Sequence, residues 1–146
     1  MTTYLVTGAS GFLGGELVGR LLERDDARIH ALVRPSSQSR LAAKLRRWPG
    51  GSDVEPEIGD LAQPLLGLSP AAIERLRGNV DHLVHLAAVY DMTADDTANE
   101  AANVGGTTHV VELANRLGVG CLHHVSSVAV AGEYPGHFTE EMFAEG

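Results

Sequence analysis

Thr7-Gly8-Ala9-Ser10-Gly11-Phe12-Leu13-Gly14 is the stretch that decides the fold of this 146-residue chain. It follows the apolar run Tyr4-Leu5-Val6 and leads into leucines at helical spacing, which predicts a strand, a glycine turn and a helix. In a G-x-x-G-x-x-G spacing one glycine makes the tight turn, one lets the backbone approach a pyrophosphate, and one lets the helix pack close to the strand. The amino terminus of that helix holds phosphates through its free N–H groups. This context predicts a dinucleotide site rather than a glycine turn without a ligand.

The predicted cofactor site has two arms. The first consists of Gly8, Ser10, Gly11, Phe12, Leu13 and Gly14. The second lies about 20 residues after the last glycine, where a dinucleotide fold places the residue that meets the adenosine ribose. There a strand-like run ends in Arg34, and Arg40 follows on the next turn. A carboxylate would repel a 2′-phosphate, whereas guanidinium groups bind it through charge-assisted hydrogen bonds. We therefore expect NADP (as NADPH) rather than NAD, unless both arginines are only solvated surface residues.

Strand-like and helix-like segments alternate along the whole chain. Apolar runs predict strands near residues 4–6, 28–33, 54–58, 82–86 and 120–125. Helical spacing predicts helices near residues 11–23, 36–47, 69–77 and 95–117, the third beginning with Ser69 as N-cap and Pro70 at the first helical position. Such alternation implies right-handed crossovers and a parallel sheet. The predicted fold class is α/β, a doubly wound parallel sheet (Rossmann fold) with strand order 3-2-1-4-5, formed as one domain by residues 1–146.

Composition restricts the partners and the compartment. The formal charge of −8 arises from 11 basic and 19 acidic residues without a basic block, which argues against a nucleic-acid surface. The single cysteine, Cys121, lies in an apolar strand-like run, so we expect a buried thiol and no internal disulfide. The sequence has no apolar stretch of about 18 residues and no basic segment leading into an apolar core. We expect a cytoplasmic protein without a membrane span.

Further candidate residues follow the predicted strands at their carboxyl ends, where ligands bind in sheets of this kind. After the third strand, Asp60 is placed to hydrogen-bond the adenine amino group and Leu61 to pack on the ring edge. After the fourth, the small residues of Leu86-Ala87-Ala88 let the backbone lie close to the cofactor. Asn103 lies in the predicted long helix beside two glycines. Ser126-Ser127 follow the fifth strand, where their hydroxyls would meet a substrate carbonyl near the nicotinamide.

Together these motifs resemble the extended short-chain dehydrogenase/reductases. The resemblance covers essentially the whole chain and rests on the glycine stretch, Gly59-Asp60-Leu61, His85-Leu86-Ala87-Ala88, Asn103-Val104-Gly105-Gly106-Thr107 and Val125-Ser126-Ser127 through Gly132. The thioester-reductase and fatty-acyl-reductase branch is the most similar, through Leu32-Val33-Arg34, Arg40-Leu41 and Leu66-Gly67-Leu68-Ser69. This branch implies an oxidoreductase that uses NADPH to reduce acyl groups bound to CoA or to a carrier protein, which gives aldehydes or alcohols.

The resemblance also implies catalytic roles. Ser127, five residues before Gly132, matches the family's catalytic serine or threonine, which hydrogen-bonds the reacting oxygen. The family pairs it with a Tyr-x-x-x-Lys on the next helix, where the tyrosine donates a proton and the lysine lowers the tyrosine pKa. This sequence contains no such motif, and its one lysine is Lys44. In the family spacing the tyrosine would fall just beyond Gly146. We therefore expect the amino-terminal part of a longer reductase, inactive alone, whose fifth strand lacks cover.

Alternative functions are open on the sequence. A nucleotide-sugar epimerase or dehydratase shares the family fold, although such enzymes usually prefer NAD and an acidic residue where Arg34 stands. A regulatory protein that binds NADP without catalysis is the other alternative. We expect no metal site, because His82 and His85 lie an odd number of residues apart on one strand and His123 and His124 are adjacent, so each pair divides between two faces. A homodimer of the full-length protein is a further expectation.

Overall fold

The computed structural model describes residues 1–88 and 101–142. Its strands are β1 (Thr2–Thr7), β2 (Ala27–Val33), β3 (Val54–Ile58), β4 (His82–His85) and β5 (Cys121–His124). Its α-helices are α1 (Phe12–Leu21), α2 (Gln38–Leu45), α3 (Pro70–Leu76) and α4 (Gly106–Leu117). Short 3₁₀ turns cover Pro35–Ser37, Gly51–Asp53, Pro64–Gly67 and Val128–Ala131, and a π-helical turn covers Ala101–Gly105. The start of the predicted helix over 95–117 lies outside the described residues. No helix within residues 1–88 and 101–142 has the length and apolar character that crossing a membrane requires.

The five strands form one parallel sheet in the order β3-β2-β1-β4-β5, which confirms the predicted topology. The first strand of the chain is the central one, with Tyr4 beside Ile29 of β2 and beside His82 of β4. The chain therefore winds outward from β1 in both directions. Because all strands run the same way, the loops after β1, β2, β3 and β4 meet at the carboxyl ends of the strands.

Apolar side chains cover both faces of the sheet. On one face α1 and α2 pack on the strands through a core that includes Val6, Val18, Leu21, Ile29 and Leu41. On the other face α3 and α4 pack through a core that includes Leu5, Ile73, Leu76, Leu83, Val110 and Leu113. Each fully buried leucine or valine contributes about 1.5–3 kcal/mol relative to exposure. These two cores make the sheet doubly wound, as the alternation of segments predicts.

A buried ion-pair network fixes β3 beside β2. Glu57 lies 2.8 Å from His30 Nδ1, and both of its carboxylate oxygens accept hydrogen bonds from Arg75 of α3 at 2.9 Å. Burial opposes ionisation of this carboxyl group, but the hydrogen bonds from His30 and Arg75 outweigh it and hold the pKa of Glu57 below its ordinary value. The network satisfies a buried charge and ties α3 to an edge strand.

β5 is the strand that departs most from expectation. Among the described residues it pairs with β4 alone, and its side chains are mostly exposed. Cys121 is exposed, so the prediction of a buried thiol is wrong. An apolar run at the edge of a sheet is buried only if a helix covers it, and no described helix covers the face that carries Cys121. Val125, Val128 and Val130 beyond the strand are exposed as well, which agrees with the expectation of an uncovered fifth strand.

Candidate functional site

A cavity of about 510 Å³ lies where the loops after β1, β2, β3 and β4 converge. This volume is in the range of small-molecule sites. Loops that are distant in the chain meet here because β1 has neighbours reached by crossovers in opposite directions, the point at which such sheets bind ligands. The predicted cofactor-binding residues that line the cavity are Gly8, Ser10, Gly11, Arg34, Arg40, Asp60, Leu61, Leu86, Ala87 and Ala88.

The glycine turn after β1 packs against backbone on both sides. Gly8 has φ of +77°, and a Cβ atom there would lie 2.7 Å from the backbone nitrogen of Ala87. A Cβ atom at Gly14 would overlap the carbonyl oxygen of Gly8. The turn is closed by a hydrogen bond of 2.8 Å from the Gly11 N–H to the Gly8 carbonyl. The sequence therefore needs glycine at Gly8 and Gly14 to bring α1, β1 and the end of β4 together.

The first turn of α1 differs in detail from the sequence prediction. Gly11 stands at the N-cap, and no side chain among residues 1–88 and 101–142 caps the helix, so its first N–H groups are open to an anion. Phe12 and Leu13 do not line the cavity and are 79% and 59% exposed. Gly14 is buried beneath the turn and acts in packing, the role that the motif assigns to its third glycine.

Two guanidinium groups stand at the far end of the cavity. Arg34 is the residue directly after β2, and Arg40 lies on α2, one turn further along the chain. Arg40 donates a hydrogen bond of 3.0 Å to the hydroxyl of Ser37, which also lines the cavity. Within the described part of the chain neither arginine pairs with a carboxylate. Both side chains are exposed and retain donors for an anion.

The loop after β3 is built around an unusual backbone conformation. Leu65 and Leu66 have φ of 49° and 57°, in the left-handed region that costs roughly 1–2 kcal/mol for a residue with a Cβ atom. Full burial of Leu66 in the core offsets that cost. The conformation directs the Leu66 carbonyl to accept a 2.7 Å hydrogen bond from the Asp60 N–H. Asp60 Oδ1 also accepts from the Ala62 N–H at 3.0 Å. Asp60 is thereby fixed at the cavity wall.

Thr7 joins the end of β1 to the end of β4. Its hydroxyl oxygen accepts hydrogen bonds from the N–H groups of Leu86 at 3.2 Å and Ala87 at 3.3 Å. The same hydroxyl lies 2.7 Å from His85 Nδ1. Because both backbone contacts use the hydroxyl as an acceptor, its one hydrogen is donated to Nδ1 of His85. This arrangement places the proton of a neutral His85 on Nε2.

His85 extends this network to the helical segment before α4. Its Nε2 atom is in long contact, 3.5 Å, with the hydroxyl of Thr107, which donates a 2.7 Å hydrogen bond to the Asn103 carbonyl. The ring stacks on His124 of β5 with a centroid distance of 5.3 Å. Burial, together with the neighbouring His124, lowers the pKa of His85 to about 4. The neutral ring thus links the cavity wall at Leu86-Ala87 with the segment that carries Asn103.

The sequence does not predict the contacts that three residues make at this site. His109 of α4 lies 2.8 Å from the Leu61 carbonyl through Nδ1 and holds the loop after β3. Lys44 of α2 donates to the carbonyl of Gly11 in the glycine turn. His85 belongs to a quoted motif, yet the motif gives no hint of its partners. Each contact joins residues more than 20 positions apart or depends on side-chain packing, and no local spacing signals it.

The serine pair lies apart from the cavity. Ser126 and Ser127 are exposed and do not line it. The Ser127 hydroxyl accepts a 3.2 Å hydrogen bond from the Ala129 N–H and caps the 3₁₀ turn Val128–Ala131. Asn103 is partly buried on the π-helical turn and reaches the site through Thr107 and His85. The catalytic role of Ser127 and the cofactor roles of Ser126 and Asn103 stay predictions.

Residues 6–146 match the family model described as Male sterility protein, a model of NAD-binding domains. The chain belongs to the Male sterility protein family. This family membership agrees with the resemblance to the extended short-chain dehydrogenase/reductases and with the sheet topology described above. The match covers the glycine turn and the loops that form the cavity.

Relatives of this Male sterility family chain include multidomain synthetases. It is 38% identical over 133 residues to a linear gramicidin synthase polypeptide of Brevibacillus parabrevis, covering 85% of this chain and 3% of that protein. The terminal R domain of the myxalamid PKS-NRPS pathway has a TM-score of 0.78 and 37% identity, over 89% of this chain and 35% of that chain. The reductase (R) domain of a Mycobacterium tuberculosis non-ribosomal peptide synthetase has a TM-score of 0.77 and 28% identity, and the match covers 92% of this chain and 35% of that chain. This chain thus spans about a third of the solved reductase domains.

A UDP-glucuronic acid 4-epimerase of Bacillus cereus, solved with NAD, is also similar in structure. Its TM-score is 0.73 at 20% identity, and the match covers 97% of this chain and 45% of the epimerase. At that identity the likeness shows the fold alone. The reductase interpretation therefore fits better than the epimerase alternative, because the R domains combine a similar fold with higher identity.

Proposed function

We propose that this chain is the NADPH-binding part of a reductase that acts on acyl thioesters carried by CoA or by a carrier protein. The observation that carries the proposal is the placement of Arg34 and Arg40, without carboxylate partners among the described residues, at the far end of a cavity that begins at the glycine turn. A dinucleotide whose pyrophosphate lies at that turn directs its adenosine ribose toward these arginines.

The residues present fit a dinucleotide with a 2′-phosphate. The glycine cradle at Gly8 leaves no room for a Cβ atom, and the uncapped start of α1 offers N–H groups to the pyrophosphate. Guanidinium groups bind a phosphate bidentately, which a ribose hydroxyl cannot match. Asp60 would accept a hydrogen bond from the adenine amino group, with Leu61 against the ring. The bound NADPH supplies the hydride, and the chain supplies binding and orientation.

The similarity of this chain to R domains in sequence and structure supports a thioester substrate. Solved relatives are the terminal R domain of a PKS-NRPS pathway and the reductase (R) domain of a non-ribosomal peptide synthetase. Reduction of such a thioester forms a C–H bond at the acyl carbon from the hydride and breaks the C–S bond. The products are an aldehyde and the carrier thiolate, which takes a proton from solvent to become the thiol. In this proposal Ser127 hydrogen-bonds the acyl oxygen, as the family resemblance implies. A cytoplasmic location and a homodimer of the full-length protein belong to the same proposal and stay predictions.

The test is titration with NADPH and with NADH, followed by nicotinamide fluorescence, of the wild type and the Arg34→Asp variant. Hydrogen bonds to a charged group contribute about 1.5–3 kcal/mol, so Arg34→Asp should weaken NADPH binding about 10- to 100-fold and leave NADH binding nearly unchanged. Arg46→Asp is the matched control, since Arg46 follows α2 and does not line the cavity. Equal weakening of both nucleotides, or none, would contradict the assignment of NADPH.

A further inference from the structure

Three potential metal ligands lie close together on β4 and β5, outside the cofactor cavity. His82 and Cys121 are the first residues of β4 and β5 and lie side by side in the parallel register. His123 lies two residues after Cys121 and so projects from the same face of the sheet. One donor atom from each of the three residues lies within 4.8 Å of the other two.

The spacing of histidines along a single strand does not predict this group. Pairs within one strand do divide between the two faces, but His82 and His123 belong to neighbouring strands and share a face. His82 Nδ1 lies 3.1 Å from His123 Nε2. The register between neighbouring strands decides which side chains meet, and the predicted sheet order does not by itself give that register.

The surroundings of the group suit a cation. The His82 ring is held by stacking on Tyr4 of the central strand, with ring centroids 5.2 Å apart and planes at 21°. Cys121 and His123 are exposed, so an ion can enter from solvent. Within the described residues neither histidine pairs with a carboxylate or with a cationic side chain. The negative charge of the whole chain also favours a cation.

We propose that His82, Cys121 and His123 form a three-ligand site for a divalent ion of the zinc class. Two imidazole nitrogens and one thiolate are ligands that Zn²⁺ prefers, and three protein ligands leave a fourth position for water. Zn–N bonds of about 2.0 Å and a Zn–S bond of about 2.3 Å place tetrahedral ligand atoms roughly 3.3–3.5 Å apart, so small side-chain rotations close the site.

Protons balance in a simple way when the ion binds. The Cys121 thiol loses one proton to solvent and binds as thiolate. Before the ion binds, one of the two histidine rings donates an N–H hydrogen bond to the other ring. When the ion binds, that proton moves to the other nitrogen of the donating ring, which remains neutral. Both rings then offer a lone pair to the ion. The site joins β4 to β5 across the sheet and therefore stabilises the exposed edge strand.

The experiment is titration of the protein with Co²⁺, whose visible d–d absorption reports tetrahedral coordination and whose near-ultraviolet charge-transfer band reports a thiolate ligand, followed by competition with Zn²⁺. We expect both bands in the wild type. Loss of an outer-shell partner alone costs about 10–100-fold in metal affinity, so Cys121→Ser and His123→Ala should each weaken Zn²⁺ binding at least about tenfold. His137→Ala, which removes an exposed histidine elsewhere, should change nothing.

Two controls keep the result independent of folding. Far-ultraviolet circular dichroism checks each variant, and Zn²⁺ should protect the wild-type Cys121 thiol from iodoacetamide without any substitution. Absence of the charge-transfer band, absence of protection, or Zn²⁺ binding that survives both Cys121→Ser and His123→Ala would overturn the proposal. Its failure would leave the NADPH assignment untouched, because the two sites share no residue.

Discussion

At the scale of single residues, His85 makes the stability of the fold depend on pH. Its pKa is about 4 in the folded protein and 6.5 ordinarily, so at intermediate pH the unfolded chain binds more protons. The stability from neutral His85 is therefore complete above pH 6.5 and is lost as the pH falls from 6.5 toward 4. From about pH 7.5 to about pH 5 we expect a loss of about 2 kcal/mol in the free energy of unfolding from this residue.

Urea unfolding of the wild type and of His85→Gln at these two pH values measures the effect. Glutamine cannot gain a proton in this range, so His85→Gln should show a pH dependence that is smaller by about 2 kcal/mol. His137→Gln removes an exposed histidine and serves as the control. A pH dependence that is the same in all three proteins would show that His85 is not the group responsible.

Single residues also show where sequence reasoning ends. The positions of Arg34 and Asp60 at the cavity could be predicted because each follows a strand, and the carboxyl ends of parallel strands lie at the same end of the sheet. Cys121 was predicted wrongly because an apolar run does not reveal whether a helix covers it. The left-handed Leu65 and Leu66 carry no local signal, since leucine has no preference for that region; burial in the core stabilises them there.

At the scale of elements, the close approach of α1 to β1 depends on Gly14. A Cβ atom there would meet the backbone of Gly8, which cannot move without moving the glycine turn. Overpacking of this kind costs about 1–3 kcal/mol, and Gly14→Ala should lose at least that in the free energy of unfolding and weaken dinucleotide binding. Calorimetric titration with NADPH and urea unfolding would measure the two effects.

Gly19 in the same helix provides a matched comparison. A Cβ atom at Gly19 would make ordinary contact with the Trp48 ring, 3.4 Å from its nitrogen. Since alanine is a better helix former than glycine, Gly19→Ala should leave stability unchanged or raise it by up to about 1 kcal/mol. If Gly14→Ala proved as stable as Gly19→Ala, the close packing of α1 on the glycine turn would be excluded.

Elements were predictable where their signals are local. The Ser69 N-cap is confirmed, since its side chain accepts a 3.2 Å hydrogen bond from the Ala72 N–H. The helix over 36–47 is shorter in the structure, because its first residues form the 3₁₀ turn Pro35–Ser37. The buried network of His30, Glu57 and Arg75 joins three elements and could not be predicted, because it depends on the register of β2 and β3.

At the scale of the whole molecule, the exposed edge at β5 should favour self-association. A strand edge without a partner offers unpaired backbone groups, and Val128 and Val130 beside it are 93% and 63% exposed. We expect sedimentation velocity to show association that grows with protein concentration. Val128→Lys with Val130→Lys should reduce it, because lysine near a strand edge opposes pairing.

Val111→Lys is the control for that experiment, since Val111 is 42% exposed but belongs to α4 and not to β5 or the turn that follows it. Association that the control reduces as strongly as the double variant would place the contact elsewhere.

The sheet order itself was fully predictable, since alternating segments and right-handed crossovers leave few arrangements. The expectation of an uncovered fifth strand comes from the family resemblance and not from this alternation. Neither predicts that the potential metal ligands of β4 and β5 lie close together.

The central position of the first strand has a consequence for synthesis on the ribosome. Tyr4 of β1 pairs with Ile29 of β2 and with His82 of β4, so one neighbour emerges soon after β1 and the other much later. At about 5–20 residues per second, β4 follows β1 by roughly 4–16 s. If β1 pairs with β2 during that interval, β1 is the edge strand of a partial sheet, although it is the central strand of the finished one. We therefore expect the unpaired backbone groups of β1 to be protected until β4 is made, either by other segments of the nascent chain or by a chaperone.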